Sequence, residues 1–193
     1  MLDSGSPHGR GPRHIKEGVS QGPPTTLSQD YPQGYWLMRR ELRQIDARLV
    51  DTPRPWPGNS RRIAFSPDIA PQLHGLLVTG YQHGGGSVPA YEAWRASADT
   101  GPEADPSLWI ITADDYGLTG AAHCWTSAFI RDLVVHPRAR RQGLALALLS
   151  HAFYQFQLRG EANVDLNVLE DNHAARSLYE TSGMRYVLRT TAD

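Results

Sequence analysis

Residues 130–145 read Ile130-Arg131-Asp132-Leu133-Val134-Val135-His136-Pro137-Arg138-Ala139-Arg140-Arg141-Gln142-Gly143-Leu144-Ala145. Phe129 to Val135 is strand-like and is stopped by Pro137. An arginine-rich turn follows, and from Gly143 the chain enters a strongly apolar helix, Leu144 to Phe156. The first-turn N–H groups of a helix have no intrahelical acceptor and sit at the positive end of its dipole. A pyrophosphate fits such an end. Gly143 carries no side chain to block close approach, and Ala145 keeps the next position small. Arg138, Arg140 and Arg141 add positive charge, so the stretch predicts a diphosphate-binding strand–turn–helix.

Working outward, Val164 to Leu169 returns as a strand. Asn172 to Ser182 is a helix closed by Gly183, and Met184 to Thr190 is a last strand. Upstream, Leu108 to Thr112 and Leu118 to Trp125 flank Asp114-Asp115-Tyr116-Gly117 as a hairpin. Arg62 to Phe65 reads as a short strand. Ser66-Pro67-Asp68 opens a helix whose buried stripe is Ile69, Leu73, Leu76 and Leu77. Ser87 is placed to cap a further helix bearing Val88, Tyr91 and Trp94. Met38, Leu42, Ile45 and Leu49 recur at helical spacing, predicting an N-terminal amphipathic helix over 35–50 before the Pro-rich linker 52–59. Residues 1–33, rich in Gly, Pro, Ser and Gln, predict a disordered tail. The fold class is α/β, with residues 60–193 as one domain and 34–59 as helix plus linker.

Two blocks carry a resemblance. Arg140-x-x-Gly143-x-Ala145 matches a Gln/Arg-x-x-Gly-x-Gly/Ala signature. Asn172-x-x-Ala175-x-x-x-Tyr179-Glu180-x-x-Gly183-Met184 matches a second block, in the same order and at a separation of one helix and one strand. Together they resemble the GNAT (general-control-related N-acetyltransferase) superfamily, strongly over 118–186 and only topologically over 60–117. The resemblance implies a mixed, mostly antiparallel central sheet flanked by helices, with a V-shaped splay between its two central strands. It implies that main-chain groups of Leu133, Val134 and Val135 bind the pantetheine arm and acyl carbonyl. Arg140, Arg141, Gln142, Gly143, Leu144, Ala145 and Leu146 would wrap the pyrophosphate, Asn172 would contact the pantetheine, and Tyr179 would protonate the departing thiolate.

The implied activity is transfer of an acetyl group from acetyl-CoA to a primary amine of a small molecule or peptide by direct attack. Tyrosine, with an ordinary pKa near ~10, is protonated at neutral pH and serves as an acid. The base stays open. Many relatives have Glu in a Leu-Glu-Val setting where this chain reads Leu166-Asn167-Val168, and an amide cannot accept the proton. Asp132, Asp165, His123, His136, a water relay, or an acceptor arriving neutral are the alternatives. The same substitution gives weight to a degenerate protein that binds acyl-CoA or a partner as a sensor. Tyr179 weighs against it, since a sensor needs no proton donor.

Composition narrows the rest. With 19 Lys plus Arg against 20 Asp plus Glu, the net charge of -1 gives no basis for nucleic-acid or anionic-membrane binding. The eight histidines form no His-x-x-x-His or His-x-His pair, so no metal is expected. The single cysteine, Cys124, reads as a buried small hydrophobe and fits a cytoplasmic setting. The partners expected are acetyl-CoA and an amine, with monomer or homodimer left open. Plainer readings stand beside these: Asn172 as an N-cap, Tyr179 as core, the arginines as a solvated turn.

Overall fold

The computed structural model describes residues 34–42, 52–82 and 87–191. The tail expected over 1–33, the positions Ile45 and Leu49, and the glycines 84–86 lie outside those residues. Seven strands form one sheet: β1 (Tyr35–Glu41), β2 (Arg61–Ile63), β3 (Ile110–Asp114), β4 (Gly117–Trp125), β5 (Phe129–Val135), β6 (Asn163–Leu169) and β7 (Arg185–Thr190). Their order across the sheet is β2-β3-β4-β5-β6-β1-β7. Every pairing is antiparallel except β5 with β6. The helices are α1 (Ala70–Tyr81), α2 (Tyr91–Thr100), α3 (Leu144–Leu158) and α4 (His173–Thr181).

The period-2 alternation of the strands sorts side chains into two cores. Ile110, Ala122, Ile130, Val164 and Leu166 face α3 and α4, while Trp109, Ile111, Ala121 and Val134 face α1 and α2. Helix α3 lies over the middle of the sheet and buries Leu144, Ala147, Leu148, Leu149, Ala152, Phe153 and Phe156. That explains why its apolar face is so broad. On the other side α1 presses so close that a Cβ on Gly80 would lie 2.6 Å from Val134 Cγ1.

The helix expected over 35–50 is corrected at its start: Tyr35–Glu41 is a strand, wedged between β6 and β7. Met38 and Leu42 satisfy a helical spacing, but Trp36 and Met38 share one face with the same core, and the Arg40 guanidinium lies over the Phe153 ring. Tyr35 and Leu37 face a cavity on the other side. That alternation, with Tyr and Trp at its start, suits a pleated strand, and pairing on both edges satisfies its backbone. The sheet therefore includes residues ahead of position 60. Ser87 is not a cap either. Helix α2 begins after Ala90, with no side-chain cap.

Candidate active site

The site is built where β5 and β6 part. They pair only at Phe129↔Asp165, with the Asp165 N–H donating to Ala128 O at 3.1 Å. Beyond that point β5 follows β4, β6 follows β1, and the edge of β5 that faces β6 has no strand partner. Leu133 and Val134 lie on this open stretch and line a cavity of about 830 Å³. An amide-bearing arm fits such an edge as an added strand would, and a carbonyl there can meet strand N–H groups.

After β5, outside the cavity lining, His136-Pro137-Arg138-Ala139 makes a one-turn helix whose Arg138 is committed to structure. It pairs with Asp114 and donates to the carbonyls of Gly117 and Leu118 at 3.1 Å. Arg140 Nε donates to Val135 O at 3.2 Å, and Gln142 Nε2 to Arg138 O at 3.2 Å, folding the turn onto itself. Arg141 is exposed at φ 62°. Gly143 caps α3 at φ 87°, a left-handed conformation in which a side chain is strained; a Cβ there would meet nothing within 4 Å. The glycine is thus needed for backbone geometry, and space lies open beside it. The first bond of α3 runs from Ala147 N–H to Gly143 O. The N–H groups of Leu144, Ala145 and Leu146 are left at the helix end, a fit to a diphosphate. Leu144 itself is buried in the core.

Helix α4 supplies two more groups. Asn172 caps it, its Oδ1 accepting the Ala175 N–H at 3.1 Å, and it also lines the cavity. Capping uses the oxygen and leaves the amide N–H₂ for a ligand. Tyr179 is buried at the cavity wall, and among the described residues its hydroxyl has no hydrogen-bond partner. Burial first, then the negative charge of Asp132, pushes its pKa well above the ordinary tyrosine value. It stays protonated across the physiological range.

The sequence left the base open, and the fold brings three groups together. His123 Nδ1 lies 3.0 Å from Asp132 Oδ2, and the Tyr81 hydroxyl donates to Asp132 Oδ1 at 2.7 Å. All three line the cavity with Tyr179. Burial alone would raise the Asp132 pKa, but the His123 hydrogen bond, the charges of Arg131 and His123, and the Tyr81 bond outweigh it and hold the carboxyl below its ordinary value. An ionised Asp132 accepts a proton-bearing Nδ1, which leaves Nε2 as the ring nitrogen outside the pair. Among the described residues Nε2 has no hydrogen-bond partner. Asp165 is otherwise engaged: Arg39 holds both its oxygens at 2.7 Å. His136 Nδ1 accepts the Arg138 N–H at 3.3 Å, outside the cavity lining. Burial, with Asp132 adding to it, pushes the Cys124 thiol up to about 12, which suits a packing role.

Tyr81 was not singled out in the sequence, and its only signal was its place at the end of a helix before a glycine-rich loop. His123 and Asp132 were named without being joined. A bulge hides their pairing: the register runs His123↔Asp132, then Cys124↔Ile130, leaving Arg131 unpaired. A regular hairpin would have set His123 opposite Arg131.

Among the described residues no group of three or more His, Cys, Asp or Glu is placed to hold a metal ion. None of the helices there is long and apolar enough to cross a membrane.

A sheet splayed at its centre, with a free helix end following β5 and a buried tyrosine in the cavity wall, defines an acyl-CoA-type transferase fold. The acetyltransferase (GNAT) family model matches residues 73–184, more than half of the chain, and the protein belongs to that family. Among solved structures the chain is similar to a GCN5-related N-acetyltransferase from Sphaerobacter thermophilus, at 24% identity and TM-score 0.66, covering 81% of this chain and 49% of that one. It is also similar to a tandem GNAT protein from the clavulanic acid biosynthesis pathway, at 16% identity and TM-score 0.59, covering 81% and 51%. The ribosomal-protein-S18-alanine N-acetyltransferase from Escherichia coli matches at 20% identity and TM-score 0.56, covering 67% and 79%. The chain thus spans about half the length of the first two. No curated protein matches it.

Proposed function

We propose that this protein transfers an acetyl group from acetyl-CoA to a primary amine by direct attack. The observation that carries the reading is the pairing of functions in one cavity: a protonated Tyr179 and a His123–Asp132 pair, beside the open edge of β5. In this reading the nitrogen–carbon bond forms as the carbon–sulfur bond breaks. His123 Nε2 takes the amine proton, with Asp132 fixing the tautomer, as a carboxylate does for a catalytic imidazole. Tyr179 gives its proton to the sulfur. N–H groups of the 133–135 strand polarise the carbonyl. The 140–146 turn and helix end hold the pyrophosphate, and Asn172 steadies the pantetheine. A binding-only role drew its weight from Asn167 standing where many relatives carry Glu, and the His123–Asp132 pair supplies the function that an amide lacks.

Thermal unfolding with acetyl-CoA, CoA, ATP and NADH in parallel tests the reading, followed by amine-dependent thiol release. A ligand at 100 times its Kd adds about 2.7 kcal/mol, enough to raise the midpoint by several degrees. A shift confined to the CoA species, with thiol release on adding an amine, is the expected result. A larger shift with ATP or NADH would sink it.

A further inference from the structure

Arg131 is the extra residue of the β5 bulge, so it does not alternate to the face opposite Asp132 as a regular strand would require. Both line the cavity. The Arg131 guanidinium lies over the Trp125 ring at 5.7 Å and its NH1 is 3.9 Å from Asp132 Oδ2, beyond hydrogen-bond reach. Its side chain is three-quarters buried, at 25% exposure, and among the described residues it donates no hydrogen bond. A guanidinium has five donors in a planar fork matched to a carboxylate. Its nitrogens still reach the cavity space, so the fork stands ready to take a carboxylate there. The other acid on this part of the wall, Glu103, already accepts from Thr126 Oγ1 at 2.6 Å and the Ser127 N–H at 2.9 Å. The same cavity is also lined by the apolar or aromatic Phe129, Tyr35 and Leu37.

We infer that Arg131 binds a carboxylate of the acceptor, so that the amine acetylated belongs to an amino acid. The inference rests on the acyltransferase reading, with the amine facing His123 and the carboxylate facing Arg131. Both are reached from one wall because the bulge sets residue 131 beside residue 132. The indole of Trp125 holds the guanidinium plane in place.

The test compares free amino acids with their isosteric α-amides, and with the matched decarboxylated amines, in a thiol-release assay. Wild-type enzyme should favour the free acid by about 10- to 100-fold in kcat/KM, and Arg131→Gln should abolish that preference, chiefly through KM. Arg131→Lys, which keeps the charge but not the fork, should restore part of it. The thermal shift with acetyl-CoA should be the same in all three proteins. Equal rates for acid and amide, turnover confined to amines without a carboxylate, or a preference that survives in Arg131→Gln would each overturn the inference while leaving the acyltransferase reading intact. Absence of any acetyl-CoA shift in wild type would remove that reading, and the inference with it.

Discussion

His123 Nδ1 sits 3.0 Å from Asp132 Oδ2, on neighbouring strands, because one bulged residue separates their pairing from that of Cys124 and Ile130. The pair stands in the cavity that Tyr179 also lines, so groups suited to take and give a proton share one space.

Replacing Tyr179 with Phe removes only a hydroxyl, which has no hydrogen-bond partner among the described residues. Stability should change little, while kcat falls about 100-fold, within the usual range for general acid catalysis. Single-turnover thiol release would measure it, with acetyl-CoA affinity as the control. An unchanged kcat from pH 6 to pH 9 would remove Tyr179 from the acid role.

His123→Gln keeps a polar side chain of similar reach but no basic nitrogen. About a 100-fold loss in kcat is expected, without loss of acetyl-CoA binding. Acetyl-CoA titration calorimetry beside steady-state kinetics separates the two effects, and an equal loss in both would mean that the ring only holds the wall together.

Asp132 also makes stability depend on pH. Its folded pKa is held below the unfolded value of about 3.9, so its contribution is present above that value and lost as pH falls through the folded one. Asp132→Asn should therefore be less stable than wild type at pH 7, with the gap narrowing below about pH 4. Urea unfolding at pH 7 and pH 3.5 gives the comparison; a gap of constant size would count against an ionised, stabilising carboxylate.

Helix α1 reaches β5 only because Gly80 has no side chain. Gly80→Ala should cost about 1–3 kcal/mol through overpacking against Val134. Adding Val134→Ala removes the Cγ1 that lies 2.6 Å from the new methyl, and should recover part of the loss. Strict additivity in the double mutant would contradict the contact.

Met38 is fully buried on a strand held on both edges. Met38→Ala should cost about 2–5 kcal/mol in denaturant unfolding. A change within about 0.5 kcal/mol, the range of ordinary surface positions, would place Tyr35–Glu41 outside the core.

The residue pattern by itself determined the α/β class, the strand Phe129–Val135, the helix beginning at Leu144, the α4 cap at Asn172 and the glycine at the helix N-terminus. These rest on local physics: periodicity, capping and the φ that each residue permits. Only the tertiary structure decided three things. Tyr35–Glu41 became a strand because β6 and β7 offer it two edges, while Met38 and Leu42 at helical spacing carry no information about those edges. Asp165 was set apart from Asp132 because Arg39, more than 100 positions away in sequence, claims both its oxygens. His123, Asp132 and Tyr81 met because a bulge shifted one register by a single residue and a glycine let a helix settle on the strand. Side-chain proximity of that kind depends on sub-ångström packing and strand register, which residue types along a chain do not encode locally.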